Sequence, residues 1–214
     1  MRSLRATALL GLLFAAAAAP AQEPAPGEGE GGRSFPLRVR LGARLGAFEM
    51  VGSADSYDAV FGEPMPQLGV ALEVQPWRRV LFALTYDYGE VDGEQVLPSR
   101  PPRPTGISET LTYQPLALTV GYLLNPEALW QWQLGAGATL LTWRDKGTRS
   151  ESGSDSGAHA VVGLRREGSR WALGGELRYS TIPDAVGEGG ITAFFGEDDL
   201  GGVALHFVAL YRLR

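Results

Sequence analysis

The stretch Trp130–Thr142, Trp-Gln-Trp-Gln-Leu-Gly-Ala-Gly-Ala-Thr-Leu-Leu-Thr, alternates apolar residues with small or polar ones. Trp132 and Leu134 share one parity, and Gln131 and Gln133 share the other. A period of two is that of a β-strand, whose successive side chains point to opposite faces. The stretch therefore predicts a strand with one apolar face and one face of small and polar side chains.

Seven further stretches have the same period, and the 3.6-residue period of an amphipathic helix is absent between them. The eight predicted strands are Leu37–Phe48, Gln67–Gln75, Val80–Tyr88, Ser108–Leu123, Trp130–Thr142, Gly157–Arg166, Trp171–Thr181 and Gly201–Leu213. In the fourth, Leu111 and Tyr113 have the opposite parity to Leu116 and the apolar residues after it, with Pro115 between them. Because proline cannot donate to a strand ladder, we expect a β-bulge there.

Long and short connections alternate along the chain. The long ones, rich in Gly, Pro and acids, are Glu49–Pro66, Gly89–Ile107, Arg144–Ser156 and Ile182–Leu200, and the short ones are Pro76–Arg79, Leu124–Leu129 and Glu167–Arg170. Short turns at one end and long loops at the other are typical of an up-and-down meander whose ends face different compartments. The prediction is an all-β, eight-stranded, antiparallel up-and-down transmembrane β-barrel.

Alternation alone leaves open which face is outside, because a soluble lipocalin-like barrel has the same period with its apolar face inward. The polar parity here consists mostly of Gly and Ala, with single charges between them, which suits a crowded interior better than a solvated sheet. Aromatic residues of the apolar parity lie near the strand ends, as in the girdles of membrane barrels. The predicted girdle residues are Trp77, Tyr86, Tyr88, Tyr122, Trp130, Trp171, Tyr179 and Tyr211.

The N-terminus has the parts of a secretory signal peptide. Arg2 and Arg5 precede a short apolar run that ends in small residues, and we place the cleavage after Ala21. The run is shorter than the ~20 residues that a bilayer-spanning helix needs, which disfavours the alternative of a retained anchor. The predicted organisation is a signal peptide at 1–21, a flexible leader of Pro, Gly and Glu at 22–35, and a β-barrel domain at 36–214.

Charge and cysteine content narrow the classes further. The chain has 19 basic and 24 acidic residues, and removal of Arg2 and Arg5 with the signal peptide leaves 17 against 24, a net charge of −7. This balance argues against a nucleic-acid partner, which requires a basic surface. The absence of cysteine excludes disulfides and thiolate metal sites. An exported protein without disulfides fits the bacterial envelope.

With this pattern, residues 36–214 resemble the small outer-membrane β-barrels typified by OmpX and the membrane domain of OmpA. The last strand, from Leu205 to Arg214, is similar to the C-terminal signal read by the barrel-assembly machinery, although it ends in Leu-Arg instead of Phe. The resemblance implies the bacterial outer membrane as the location. It also implies outer-membrane lipid, and during biogenesis the assembly machinery, as partners.

Charged residues on the polar parity are predicted to face the barrel interior. They are Arg38, Arg40, Arg44, Glu73, Asp87, His159, Arg165, Glu176 and Arg178. The interior of an eight-stranded barrel is just wide enough to be filled by side chains, so charges inside must be paired. We interpret the set as a salt-bridge plug, with a gated ion path or an active site as the alternatives.

Neither histidine has the neighbours of a catalytic centre. Some outer-membrane barrels deacylate lipid A with a histidine next to a serine, but no serine stands at a matching position near His159 or His206. Asp155 and the run Glu197–Asp199 lie in predicted loops without the spacing of a calcium site, so no metal or other cofactor is predicted. The predicted function is a structural or surface-interaction barrel with a plugged lumen and four exposed loops, its extracellular ligand unknown. The alternatives are a narrow channel for small solutes and a lipid-modifying enzyme.

Overall fold

The computed structural model describes residues 36–97, 99, 101–147, 150–186 and 190–213. The predicted signal peptide and leader, residues 1–35, lie outside the described residues. The barrel domain predicted from residue 36 onwards is the part described below.

The described residues form eight strands and two short helices. The strands are β1 (Arg38–Met50), β2 (Met65–Gln75), β3 (Val80–Leu97), β4 (Arg103–Leu123), β5 (Trp130–Lys146), β6 (Glu151–Glu167), β7 (Trp171–Thr181) and β8 (Gly202–Leu213), and the helices are α1 (Ala54–Val60) and α2 (Gly190–Phe195). Each strand pairs antiparallel with the next, and β8 pairs with β1 to close the ring. The predicted eight-stranded antiparallel up-and-down barrel is confirmed.

Of the helices in the described part of the chain, none is long and apolar enough to cross a membrane.

The two parities face opposite sides of the barrel wall. Exposed large apolar side chains project outward on every strand except β6, where the outward Val162 and Leu164 are partly buried; Leu45, Leu68, Leu118 and Leu205 are each more than half exposed. The inward parity carries mostly Gly, Ala, polar and charged side chains, with a few buried apolar ones such as Leu81, Leu123 and Leu210. Ring closure satisfies the strand N–H and C=O groups within the wall and leaves no free edge in the ring.

The prediction of a β-bulge at Pro115 is wrong. The β4–β5 register passes through Pro115 opposite Leu141 without a shift. The β3–β4 pairing is interrupted beside Pro115, which has no N–H to donate, and resumes in the same register at Gly89 and Tyr113. The only register shift that the structure records between β3 and β4 lies farther out, between Glu94 and Val96.

The parity change in β4 therefore has another cause, an apolar core inside the long-loop end of the barrel. Its buried members are Phe48, Met50, Tyr57, Met65, Val91, Leu111, Tyr113, Leu141, Trp143, Ile182, Ala185, Leu200 and Ala204, and we call them the apolar cap. The Phe48 and Tyr113 rings stack with centroids 4.6 Å apart, and the Tyr113 hydroxyl donates to the Leu200 carbonyl at 3.1 Å. Beyond the outward apolar band, apolar residues thus turn to the inside.

The long connections are more ordered than the sequence predicts. Most of the loop predicted at 89–107 is strand, because β3 and β4 extend into a hairpin, and β5 and β6 do the same around 144–156. The connection between β1 and β2 contains α1, and the one between β7 and β8 contains α2. The missing 3.6-residue period predicted no helix between the strands, and this prediction is wrong at these two sites, because each helix is too short to show a helical period.

Candidate functional site

Eight of the nine charged residues predicted to line the lumen lie inside the barrel. Arg40, Arg44, Glu73, Asp87, His159, Arg165 and Arg178 are buried, and Glu176 is largely buried. Arg38 is half-buried at the short-turn end of β1. The structure brings seven of these residues, all but Arg38 and His159, together in two layers of ion pairs.

The lower ion layer, nearer the short turns, consists of Arg40, Glu73, Arg165, Glu167 and Arg212. The Glu73 carboxylate accepts one hydrogen bond from Arg40 and another from Arg165, the latter at 2.6 Å. The Glu167 carboxylate accepts from Arg40 at 2.6 Å and from Arg212 at 2.7 Å. Charge-assisted contacts of this kind satisfy buried charges that would otherwise be very costly.

The upper ion layer consists of Arg44, Asp87, Glu176, Arg178 and His206. Arg44 donates to Asp87 at 2.8 Å and to Glu176 at 2.9 Å, and Arg178 donates to Glu176 at 3.1 Å. The Nη2 atom of Arg44 also lies 3.0 Å from His206 Nδ1. A guanidinium group can only donate, so His206 Nδ1 accepts and its Nε2–H donates to Gln67 Oε1 at 3.0 Å.

His159 is enclosed by two threonine hydroxyls. Its Nε2 lies 2.8 Å from Thr119 Oγ1 and its Nδ1 lies 2.9 Å from Thr139 Oγ1. A neutral imidazole donates from one nitrogen and accepts at the other, and each hydroxyl can do either. Both ring nitrogens of each histidine are therefore occupied by neighbours inside the barrel, with no serine among them.

Glycines on the inward parity make room for the polar side chains. A Cβ atom at Gly69 would overlap the Asp87 carboxylate, and one at Gly137 would crowd the ring of His159. Between the two ion layers lies a cavity of about 40 Å³, lined in part by Arg44, Glu73 and Arg165. This volume accommodates roughly two or three water molecules.

Above the ion layers, the apolar cap is fastened by acidic residues of the β7–β8 connection. The Glu197 carboxylate accepts hydrogen bonds from the backbone N–H groups of Asp55 (3.0 Å) and Ser56 (2.9 Å) at the start of α1. The Asp199 carboxylate accepts from the backbone N–H groups of Ile182 (2.7 Å) and Gly201 (2.6 Å). These carboxylates cap a helix and a turn.

Tyr57 and Asp145, both outside the outward apolar band, have displaced pKa values. Burial of the Tyr57 phenol in the cap, with the charges of Asp58 and Glu49 nearby, raises its pKa to about 12. Burial of the Asp145 carboxyl, a hydrogen bond with Glu109 and further acidic charge nearby raise its pKa to about 8. Asp145 is thus largely protonated at neutral pH.

Three of the four acidic loop residues considered for a cation have other partners. Glu197 and Asp199 bond to the backbone, and Asp155 accepts from the Trp143 indole N–H at 3.0 Å. Among the described residues, no group of three or more His, Cys, Asp or Glu is arranged to hold a metal ion.

Three members of the ion layers are not among the lumen residues predicted from the sequence. Arg212 and His206 stand on the inward parity of β8, and Glu167 continues the inward parity of Arg165 on β6. Glu167 was assigned to a turn because the predicted strand ended one residue early. Extending the predicted strand by one residue, to Glu167, would have placed this carboxylate on the inward parity.

The predicted girdle residues are on the outer face or at its edge. Trp77, Trp130 and Trp171 lie by the short turns and are more than half exposed, and Trp171 packs on Tyr211 with ring centroids 4.9 Å apart. Tyr122, Tyr86 and Tyr88 are about two-fifths exposed, whereas Tyr179 is partly buried.

No protein-family model matches the sequence, and neither does any curated protein sequence.

Three solved structures with similar folds are outer-membrane proteins. OprG of Pseudomonas aeruginosa superposes with a TM-score of 0.53 at 12% identity, covering 83% of this chain and 95% of that one. Ail, the attachment invasion locus protein of Yersinia pestis, in complex with the heparin analogue sucrose octasulfate, gives 0.50 at 13% identity and covers 83% and 97%. A major outer membrane protein of Thermus thermophilus gives 0.50 at 13% identity and covers 84% and 100%. The chain therefore has the fold of the small eight-stranded outer-membrane β-barrels.

Proposed function

We propose that this protein is a bacterial outer-membrane barrel with a closed interior, and that it serves a structural or surface-interaction role. The observation that carries the proposal is the stack of two ion-pair layers and an apolar cap inside one ring of strands. In this stack, Arg40, Arg44 and Asp87 are each about 1% exposed. An interior filled in this way holds the wall together and blocks the passage of solutes.

The outer face supports the membrane location. Exposed leucine, valine and aromatic side chains cover it on every strand except β6, whose outward residues are mostly Ser and Ala with the partly buried Val162 and Leu164. A soluble barrel would bury such residues inside, since large contiguous apolar surfaces mark sites of contact with lipid or protein. Outer-membrane lipid is therefore the proposed surrounding of the wall, and the barrel-assembly machinery remains the proposed partner during insertion.

The asymmetry of the two ends supports an orientation. The three short turns are proposed to face the periplasm, as in known membrane barrels, and the long-loop end to face the exterior. That end presents the β3–β4 and β5–β6 hairpins together with α1 and α2. Any recognition that the protein performs is proposed to use these segments.

The lipid-modifying alternative has little support, and we propose that the protein is not an enzyme. His159 and His206 are buried in the interior, away from the lipid-facing wall, and bond to Thr, Gln and Arg side chains. A hydrolase of membrane lipid needs its histidine and nucleophile where the acyl chain can reach them.

Conductance across a planar lipid bilayer tests the closed interior against the channel alternative. Inserted protein should leave the bilayer without steady current, and insertion is verified separately by faster migration of the unboiled protein in a detergent gel. A Leu72→Ala variant, changed only on the outer face, serves as the control and should behave identically. A steady ohmic current through the unmodified protein would contradict the closed interior and show that the barrel is a channel.

A further inference from the structure

A groove of about 490 Å³ lies on the outer wall of β3 to β6, just beyond the apolar band at the long-loop end. Strand register defines the rows of outward side chains that lead up to it. The top apolar row is Tyr86, Leu116 and Leu140; the rows beyond it are Tyr88, Gln114 and Thr142, then Glu90, Thr112 and Arg144, then Asp92, Thr110 and Lys146. The groove opens where the wall changes from apolar to polar.

The change from apolar to polar side chains occurs within one outward position of β5. Leu140 is about half exposed on the outer face, and Thr142 is the next outward residue of β5. Two residues advance a tilted strand by about 5 Å along the membrane normal. Thr142 and Arg144 therefore lie about 5 and 10 Å beyond the apolar edge, at the depth of the lipid headgroups and just outside it.

The lining has a definite chemistry. Besides Trp143 and Gly153, its lining includes the hydroxyl and amide side chains of Thr112, Gln114, Thr142 and Ser152. Arg144 and Lys146, the only lysine of the chain, supply two positive charges on one strand. On the opposite wall, the Tyr88 hydroxyl donates to the Glu90 carboxylate at 2.5 Å, which leaves acceptor capacity on that carboxylate.

We propose that this groove binds the headgroup of a phosphorylated glycolipid, with Arg144 and Lys146 on the phosphate and the hydroxyl, amide and Glu90 groups on the sugar. The proposal rests on the proposed function, since it needs the outer wall to face lipid. Cations bind phosphate oxygens through short charge-assisted contacts, and neutral donors and acceptors match sugar hydroxyls.

The position of the groove favours a lipid over a soluble phosphorylated sugar. Directly below it, Leu116, Leu118 and Leu140 form a continuous apolar wall on β4 and β5. A ligand with acyl chains can cover this wall while its headgroup fills the groove. A soluble sugar phosphate would gain nothing from the apolar residues.

Native mass spectrometry of the barrel extracted in non-ionic detergent tests the site. The probes are a diphosphorylated, acylated glucosamine disaccharide, its dephosphorylated form, phosphatidylglycerol, and inorganic phosphate as a competitor. The variants are Arg144→Gln/Lys146→Gln and, as a matched control, Arg103→Gln, an exposed cation at the start of β4 that does not line the groove.

Unmodified protein and Arg103→Gln should retain the diphosphorylated glycolipid equally, and at least about tenfold more strongly than the dephosphorylated form or phosphatidylglycerol. The double variant should lose affinity by about tenfold or more. Equal retention by the double variant, or an equal loss in Arg103→Gln, would overturn the site. Equal binding of phosphatidylglycerol would overturn the sugar contacts, and displacement by inorganic phosphate would overturn the lipid as its occupant. Steady bilayer conductance would instead contradict the closed interior of the proposed function. The failure of the glycolipid site and the failure of the proposed function can therefore be told apart.

Discussion

Removal of the Glu73 carboxylate should cost far more stability than any single change on the outer wall. Glu73 is 4% exposed and bonds to two buried guanidinium groups, Arg40 and Arg165. Arg40 keeps a second carboxylate, Glu167, at 2.6 Å, but the nearest oxygen of Glu167 to Arg165 Nε is 3.9 Å away. In Glu73→Ala, Arg165 therefore loses its hydrogen-bonded carboxylate and keeps only the 3.9 Å ion pair with Glu167.

Each charge-assisted hydrogen bond contributes about 1.5–3 kcal/mol, and breaking a buried pair costs about 3–5 kcal/mol. Glu73→Ala should lower the free energy of unfolding by about that amount. Leu72→Ala, its neighbour on the outer face, removes lipid-contacting carbons worth about 0.8 kcal/mol each and should cost about 2 kcal/mol or less. Replacing Arg165 by Met together with Glu73→Ala should restore part of the loss, because no unpaired charge then remains on that side.

Reversible urea unfolding in lipid vesicles measures these differences. If Glu73→Ala proved no more destabilising than Leu72→Ala, water would be satisfying the guanidinium groups, and the interior would be wet.

Three further outcomes follow from the same geometry. The closed ring should keep the barrel folded in detergent without heating, so that boiling slows its migration in a gel; identical mobility before and after boiling would contradict closure. The chain has no cysteine, so single cysteines report topology without background: Glu63→Cys and Gly147→Cys should react with an impermeant maleimide on intact cells, whereas Ser169→Cys, in the β6–β7 turn, should not. The pKa of Asp145 is raised to about 8 in the folded state, above its usual value of ~3.9, so the stability it contributes is complete below pH 4 and is lost as the pH rises through 8. Amide exchange in the β5–β6 hairpin, corrected for intrinsic rate, should therefore accelerate between pH 6 and 9 in the unmodified protein and much less in Asp145→Asn; equal profiles would show that the carboxyl is already ionised at pH 6.

The wall of the barrel could be predicted from the sequence because its two environments impose a period of two on every strand. Trp132 and Leu134 face outward and Gln131 and Gln133 inward, as their alternation indicates. The interior charges followed from the same parity. Arg44 and Asp87, far apart in sequence, come within 2.8 Å because both stand on inward positions of a narrow ring.

The apolar cap could not be recognised by this reasoning, which equated apolar residues with the lipid side. Leu111 and Tyr113 stand on the inward positions of β4 and point into the barrel. Phe48 and Met50 stand on the inward positions of β1 and do the same. Near the long-loop end the outside is polar, so the apolar face belongs to the interior, and the change of parity marks that boundary instead of a bulge. The contacts that hold the cap in place join residues distant in sequence, such as Glu197 and Ser56. A local sequence pattern therefore cannot predict them.

We propose that the apolar parity faces lipid while the opposite parity faces a closed interior, and the five native tryptophans allow a direct test. Trp132 is 47% exposed on the outer wall, and Trp143 is 8% exposed inside the apolar cap. Two single-tryptophan proteins, one retaining only Trp132 and the other only Trp143, with the remaining four replaced by Phe, are folded into vesicles of lipid brominated on its acyl chains. Strong quenching of Trp132 fluorescence by the brominated lipid, with little quenching of Trp143 by either lipid or aqueous acrylamide, is the result predicted. Quenching of Trp132 by acrylamide but not by brominated lipid would place the apolar parity in water and contradict the account.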